Sequence, residues 1–168
     1  LLTEKTKIKK IAENIDIGEN SDSIVIDAQG CWVTPGLIDA HCHIGIQEEG
    51  VGTEGNDTNE VNKPITPFIK GIDAVNPMDP AFHNAIKAGI TSGMAGPGSS
   101  NGVGGQFVFF KTQGRCIDNM VVLEPAAMKI ALGENPKRNY GDNNMMPSTR
   151  MSAGAMLREE LEKAQRYM

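Results

Sequence analysis

Polar and apolar residues alternate along Lys7-Ile8-Lys9-Lys10-Ile11-Ala12, and Ser23-Ile24-Val25-Ile26-Asp27 is a second short β-rich run. A polar connection, Glu13 to Asp22, separates them. Asp27-Ala28-Gln29-Gly30 reads as a turn before Cys31-Trp32-Val33-Thr34. Three short strands so close together predict part of a small β-domain, with Trp32 as a packed anchor. Pro35-Gly36 is the next turn signal, and an apolar strand follows it, Leu37 to Ile44. Alternation puts Leu37, Asp39, His41 and His43 on one face and Ile38, Ala40, Cys42 and Ile44 on the other. A strand buried on both sides that ends in a long loop fits a parallel sheet.

From Ile46 to Met78 the periodicity is lost, and Gly, Asn, Thr, Pro and acidic residues dominate. Connections this long are usually functional or disordered. Glu48, Glu49, Glu54, Asp57 and Glu60 read as solvated charges, and Phe68-Ile69 as a short packed anchor. A helix then carries its own boundaries: Asp79 as N-cap, Pro80 at the first position and Gly89 as the left-handed stop. Phe82, Ala85 and Ile86 form its inward stripe, and His83 and Lys87 lie off it. Ile90 to Met94 is β-rich, so strand, loop, helix and strand follow in the order of a βαβ unit.

Gly93 to Gly105 holds six glycines. Neither nucleotide fingerprint fits: no Lys follows these glycines, and Asn101 stands where a third fingerprint glycine belongs. Backbone N–H groups of such a loop can still hold a carboxylate. Phe107–Thr112 and Cys116-Ile117 read as a hairpin, Ala126–Leu132 as a strand closed by the turn Gly133–Lys137, Asn139–Arg150 as loop, and Ser152–Met168 as an amphipathic helix. Leu157, Leu161, Ala164 and Met168 line one stripe of that helix, with Arg158/Glu162, Glu159/Lys163 and Glu162/Arg166 paired outside.

Charge and composition narrow the partners. The net charge of −5 is mild, and the one lysine cluster, Lys5 to Lys10, has no aromatic interleaving, so nucleic acid is not expected. No run of about 18 apolar residues suggests a membrane span, and no signal peptide is visible. Cys31, Cys42 and Cys116 are odd in number and scattered, which fits idle thiols in the cytoplasm. The chain opens on Leu1 and stops at Met168 inside a helical pattern, so both ends read as cut.

The chemistry concentrates at Pro35-Gly36-Leu37-Ile38-Asp39-Ala40-His41-Cys42-His43. Two imidazoles on one strand face, with α-carbons about 6–7 Å apart, can lean onto one ion at about 2.0–2.1 Å from each nitrogen. The bland alternative is a chance pair on a solvent-facing strand. Cys42 points the other way and reads as packing. Lys129, inside an apolar strand, must lose its charge or find a partner.

The run P-G-L-I-D-x-H-x-H closely resembles the first barrel strand of the amidohydrolase superfamily. Gly96-Pro97-Gly98-Ser99-Ser100-Asn101 with Gly104-Gly105-Gln106, and Gly133 to Lys137 with Thr149-Arg150-Met151, resemble its imidazolonepropionase-like group. The resemblance implies an α/β fold: an incomplete small β-sandwich arm over residues 1–35, then about the first three β/α units of a (β/α)8 barrel over residues 36–168. Such a barrel typically needs about 250 residues, so the chain reads as the N-terminal portion of a longer enzyme.

The resemblance further implies hydrolysis of a C–N bond in an amide, cyclic amide or dipeptide-like small molecule, with His41 and His43 holding a divalent metal. Zn²⁺ is the first choice, as one or two ions. Lys129, carboxylated, or Glu134 is implied as a further metal or substrate contact, with ordinary salt-bridging as the alternative. Ser99, Asn101, Gln106 and Arg150 are substrate-loop candidates. The family's other ligands, two histidines and an aspartate serving as general base, lie on later strands, so these 168 residues alone are expected to be inactive. A homo-oligomer is compatible with this reading. The rivals are a non-catalytic piece with a vestigial His-x-His and a small independent metal-binding protein.

Overall fold

The structure, a computed structural model, describes residues 1–18 and 22–168. It divides into two compact units, Leu1–Pro35 and Gly36–Met168. In the first, β1 (Leu2–Glu4) pairs antiparallel with β2 (Lys7–Lys10). The runs at Ser23–Asp27 and Cys31–Thr34, expected as strands, form none. Their backbone groups find no ladder partner among the described residues, and a strand exists only through such pairing. Trp32, expected as an anchor, is 94% exposed. The turn between these runs does form, Cys31 N–H donating to the Ala28 carbonyl at 2.9 Å. Part of the Glu13–Asp22 connection lies outside the described residues.

The second unit opens with the βαβ order read from the sequence. β3 (Leu37–Cys42) and β4 (Ile90–Ala95) run parallel, with α1 (Pro80–Lys87) between them. The Asp79 side chain caps α1 and Gly89 takes φ +80°, as the boundary residues require. Phe82 is buried and Ala85 half-buried, but Ile86 is exposed, because only the first half of the stripe meets the sheet.

Beyond β4 the chain departs from expectation. β5 (Val103–Lys111) and β6 (Val121–Ile130) form a long hairpin around α2 (Ile117–Met120), and α3 (Glu134–Gly141) and α4 (Arg150–Tyr167) follow. The sheet order is β3-β4-β5-β6, with β5 antiparallel to both neighbours. One parallel pair is therefore hydrogen-bonded among the described residues, although β3, β4 and β6 all run the same way. Cys116-Ile117 opens a helix rather than a strand. Residues 134–141, expected as turn and loop, are helical: Pro136 sits in the first turn, where no N–H is needed, and Tyr140 is buried beneath it.

The core lies where α1 covers one sheet face, with Ile46, Val75, Phe82, Ala95, Val108, Phe110 and Met120 buried together. The Phe82 and Phe110 rings sit 5.5 Å apart. Cys42 packs against this cluster, as expected of the greasy face. Leu37 and Ile38 are exposed because β3 is a sheet edge, so the strand is not covered on both sides among the described residues. Within the long connection 46–78, Glu49, Glu54, Asp57 and Glu60 are exposed as expected and Glu48 is half-buried, while a few positions tie the segment to the sheet. Thr66 and Val75 are buried, Ile65 and Lys70 bridge to Val103 and Gln106, and Phe68, expected as the anchor, is exposed. In α4 the Glu159–Lys163 pair forms at 2.9 Å.

Candidate functional site

Strand alternation delivers His41 to the face opposite the core. Phe107 reaches that face from β5, because Val108 and Phe110 point the other way. The His41 and Phe107 rings lie 5.5 Å apart, edge to face, and the His41 and His43 rings 5.6 Å apart. Lys129 arrives from β6, its Nζ 3.2 Å from His41 Nε2. β3 and β6 are opposite edges of the sheet, three strand spacings or roughly 14 Å apart if it were flat. The contact therefore requires the sheet to curl toward this face.

Each imidazole has one nitrogen assigned by its surroundings. His43 Nδ1–H donates to the Gly96 carbonyl at 2.7 Å, leaving Nε2 with a free lone pair. That is how a ligand histidine is usually oriented. His41 Nε2 accepts from Lys129, so its proton sits on Nδ1. Burial, then Lys129 and then His43 hold the His41 imidazole below the histidine reference of 6.5, against a raising effect from Asp39. The residue as a whole is exposed, and the burial acts on the ring edge packed against Phe107 and Lys129. Burial likewise pulls the Lys129 ammonium below the ordinary lysine range; the residue is 9% exposed and pairs with no carboxylate among the described residues.

Among the described residues no three His, Cys, Asp or Glu side chains converge as a metal cluster. His43, with Nδ1–H on the Gly96 carbonyl and Nε2 outward, fits a ligand as it stands, whereas His41 fits one only once Lys129 releases its Nε2. An open pocket beside His43 is lined also by Gln47, Glu48 and Glu49. Glu48 and Glu49 turn their carboxylates toward Asn76 and Asn84, at 2.6 and 2.8 Å, and not toward the imidazoles.

The other sequence candidates scatter. Glu134 stands at the start of α3, exposed and paired with Lys137 at 3.0 Å. Arg150 is exposed at the start of α4, and Ser99 is half-buried in the Gly-rich segment. Gln106 donates to the Pro67 carbonyl at 3.0 Å. Asn101 is buried and spans two segments, donating to Thr66 Oγ1 at 3.0 Å and accepting from the Tyr140 hydroxyl at 2.7 Å. The Gly-rich N–H groups are also committed within the chain: Gly98 N–H meets the Thr58 carbonyl at 2.7 Å and Ser100 N–H meets Asn59 Oδ1 at 2.9 Å.

Burial, with the Glu60 carboxylate, pushes the Tyr140 phenol up to about 12, so it remains a donor to Asn101. Tyr140→Phe strands the Asn101 oxygen in the interior. We expect a loss of about 1–3 kcal/mol, read as a lower urea midpoint at unchanged slope. The residues that sequence reasoning missed are Phe107 and Gly96. Phe107 had a signal in its alternation with Val108. Gly96 acts through its carbonyl, which no residue type announces.

No family model matches the chain. It is 34% identical over 177 aligned positions to Amidohydrolase tasK of Hapsidospora irregularis, an alignment covering 98% of this chain and 18% of that protein. A dihydroorotase of Streptococcus thermophilus (strain CNRZ 1066) is 54% identical over 43 residues, 26% of this chain and 10% of the dihydroorotase. The crystal structure of an amidohydrolase from Thermotoga maritima MSB8 superposes with a TM-score of 0.90 at 43% identity, over 99% of this chain and 43% of that one. The chain thus spans less than half the length of these relatives. Along nearly its whole sequence, in both residue identity and fold, the chain is similar to amidohydrolases, matching a portion of each.

Proposed function

We propose that the complete protein is a metal-dependent amidohydrolase that hydrolyses the C–N bond of an amide, cyclic amide or dipeptide-like small molecule, and that this chain supplies His41 and His43 as ligands. The observation that carries the reading is the pair of imidazoles at the end of β3, with His43 oriented by the Gly96 carbonyl and its Nε2 free. The names of the relatives, amidohydrolase and dihydroorotase, favour C–N hydrolysis. A divalent ion held there, Zn²⁺ first, supplies Lewis acidity toward the scissile carbonyl and acidifies water.

Lys129 is the further metal or substrate contact in this reading, since it alone of the two candidates reaches a histidine. Glu134 is committed to Lys137. Residues 1–35 belong to a β-sandwich arm, and residues 36–168 open a (β/α)8 barrel. The general base and remaining ligands lie outside these 168 residues, so the chain alone is inactive. Three free cysteines suit the cytoplasm.

The test is chelation of the complete protein, assayed on cyclic amides and dipeptides. Hydrolysis falls to background after dialysis against chelator and returns with Zn²⁺. A rate indifferent to chelator, or no hydrolysis with any ion, favours the vestigial-site reading instead.

A further inference from the structure

Asp79 is 2% exposed, and its hydrogen bonds come from three backbone N–H groups. Oδ1 accepts from Ala81 at 3.0 Å and from Glu49 at 3.2 Å; Oδ2 accepts from Gly45 at 3.2 Å. Capping α1 needs only the first of these bonds. The other two clamp both ends of the turn that leaves β3.

That turn is built back onto His43. The His43 carbonyl accepts from Ile46 N–H and Gln47 N–H, both at 2.9 Å, and the Gly45 carbonyl accepts from Asn76 N–H at 2.8 Å. Gly45 takes φ +73°, and a Cβ there would meet the Phe82 ring at 2.9 Å and Asn76 O at 3.0 Å. Both peptide groups of Gly45 are thus tied to the segment 76–79, two residues after the imidazole that faces Gly96.

We propose that Asp79 is the positioning residue of His43: through Gly45 its carboxylate fixes the backbone so that the imidazole is held in one orientation, Nδ1–H on the Gly96 carbonyl and Nε2 outward. The consequence for metal binding rests on the proposed function above; the orientation itself does not. Asp79 touches neither metal nor substrate, and acts by removing the freedom of the turn.

The test uses Asp79→Asn in the complete protein, with Thr149→Ala as control. Asparagine keeps an oxygen for Ala81 and Glu49, and α1 stays capped, but its NH₂ faces Gly45 N–H donor to donor. Thr149→Ala removes the cap of another helix, α4. On the metal-free proteins, at a pH above the imidazole range, ¹⁵N spectra of the histidine rings report the tautomer. Wild type and Thr149→Ala show His43 as a single Nδ1–H tautomer, whereas Asp79→Asn shows a mixture.

Zinc titration then shows affinity lowered about 10- to 100-fold in Asp79→Asn, the usual effect of losing a supporting partner, and unchanged in Thr149→Ala. An Asp79→Asn spectrum identical to wild type overturns the proposal. A tautomer mixture in a protein whose wild type takes up no zinc upholds the positioning and overturns the metal reading alone. If Asp79→Asn does not fold, Asp79→Ser, which retains only the Ala81 cap, is read in the same way.

Discussion

Replacing His41 and His43 together by alanine is expected to strip the complete protein of its divalent ion and to bring hydrolysis to background, while the fold survives. The two rings stand 5.6 Å apart at the end of one strand, while the third histidine, His83, is exposed on α1. Loss of a supporting partner costs about 10–100-fold in affinity, and loss of two ligands costs more. His41 is exposed and His43 half-buried, so truncating them leaves little cavity. Stability should change by no more than about 1 kcal/mol. Elemental analysis checks the metal and thermal unfolding of the metal-free protein checks the fold; undiminished metal content sinks the assignment. The electrostatics point the same way. Burial, Lys129 and His43 keep His41 unprotonated further into acid than its reference of 6.5, and only a neutral imidazole binds metal.

What could be read in advance was whatever a residue's own chemistry dictates. Asp79, Pro80 and Gly89 announced both ends of α1 because capping and left-handed backbone are local demands. Lys129 drew attention because a lysine in an apolar strand needs a reason, and the structure supplies one in His41. Partners across space were not legible. Ile24 to Ile26 has every mark of a strand, yet alternation fixes the faces of a strand and says nothing of a neighbour to bond it. Asn101, a substrate-loop candidate by resemblance, is buried as the joint between Tyr140 and Thr66, partners that its place in the sequence does not reveal. Glu134, implied as a contact by the resemblance, stood in a segment read as a turn, but that segment opens α3, since proline inside the first turn of a helix is harmless, and Glu134 pairs with Lys137.

Gly105→Ala is expected to be the most damaging single methyl in the chain, for a reason that connects the Gly-rich segment to the site. Gly105 takes φ +127°, a conformation that side chains rarely adopt, and a Cβ there would collide with the backbone carbonyl of Ile69. Backbone cannot step aside as a side-chain tip does. Gln106 N–H donates to that same carbonyl at 2.7 Å, so moving the segment away breaks a bond as well. Strain and overpacking together cost roughly 2–6 kcal/mol, out of a total stability of about 5–15. Gly154→Ala, in the middle of α4 with nothing within 4 Å, is the contrast, and it should stabilise by about 0.5–1 kcal/mol. Urea unfolding of the two variants separates clash from mere loss of glycine. Gly105 is also the cross-strand partner of Lys129, so the displaced strand carries the lysine with it. In whatever fraction stays folded, the ring nitrogen of His41 loses the hydrogen bond from its ammonium. A Gly105→Ala protein as stable as wild type would mean that Ile69 does not cross over β5 where the structure places it.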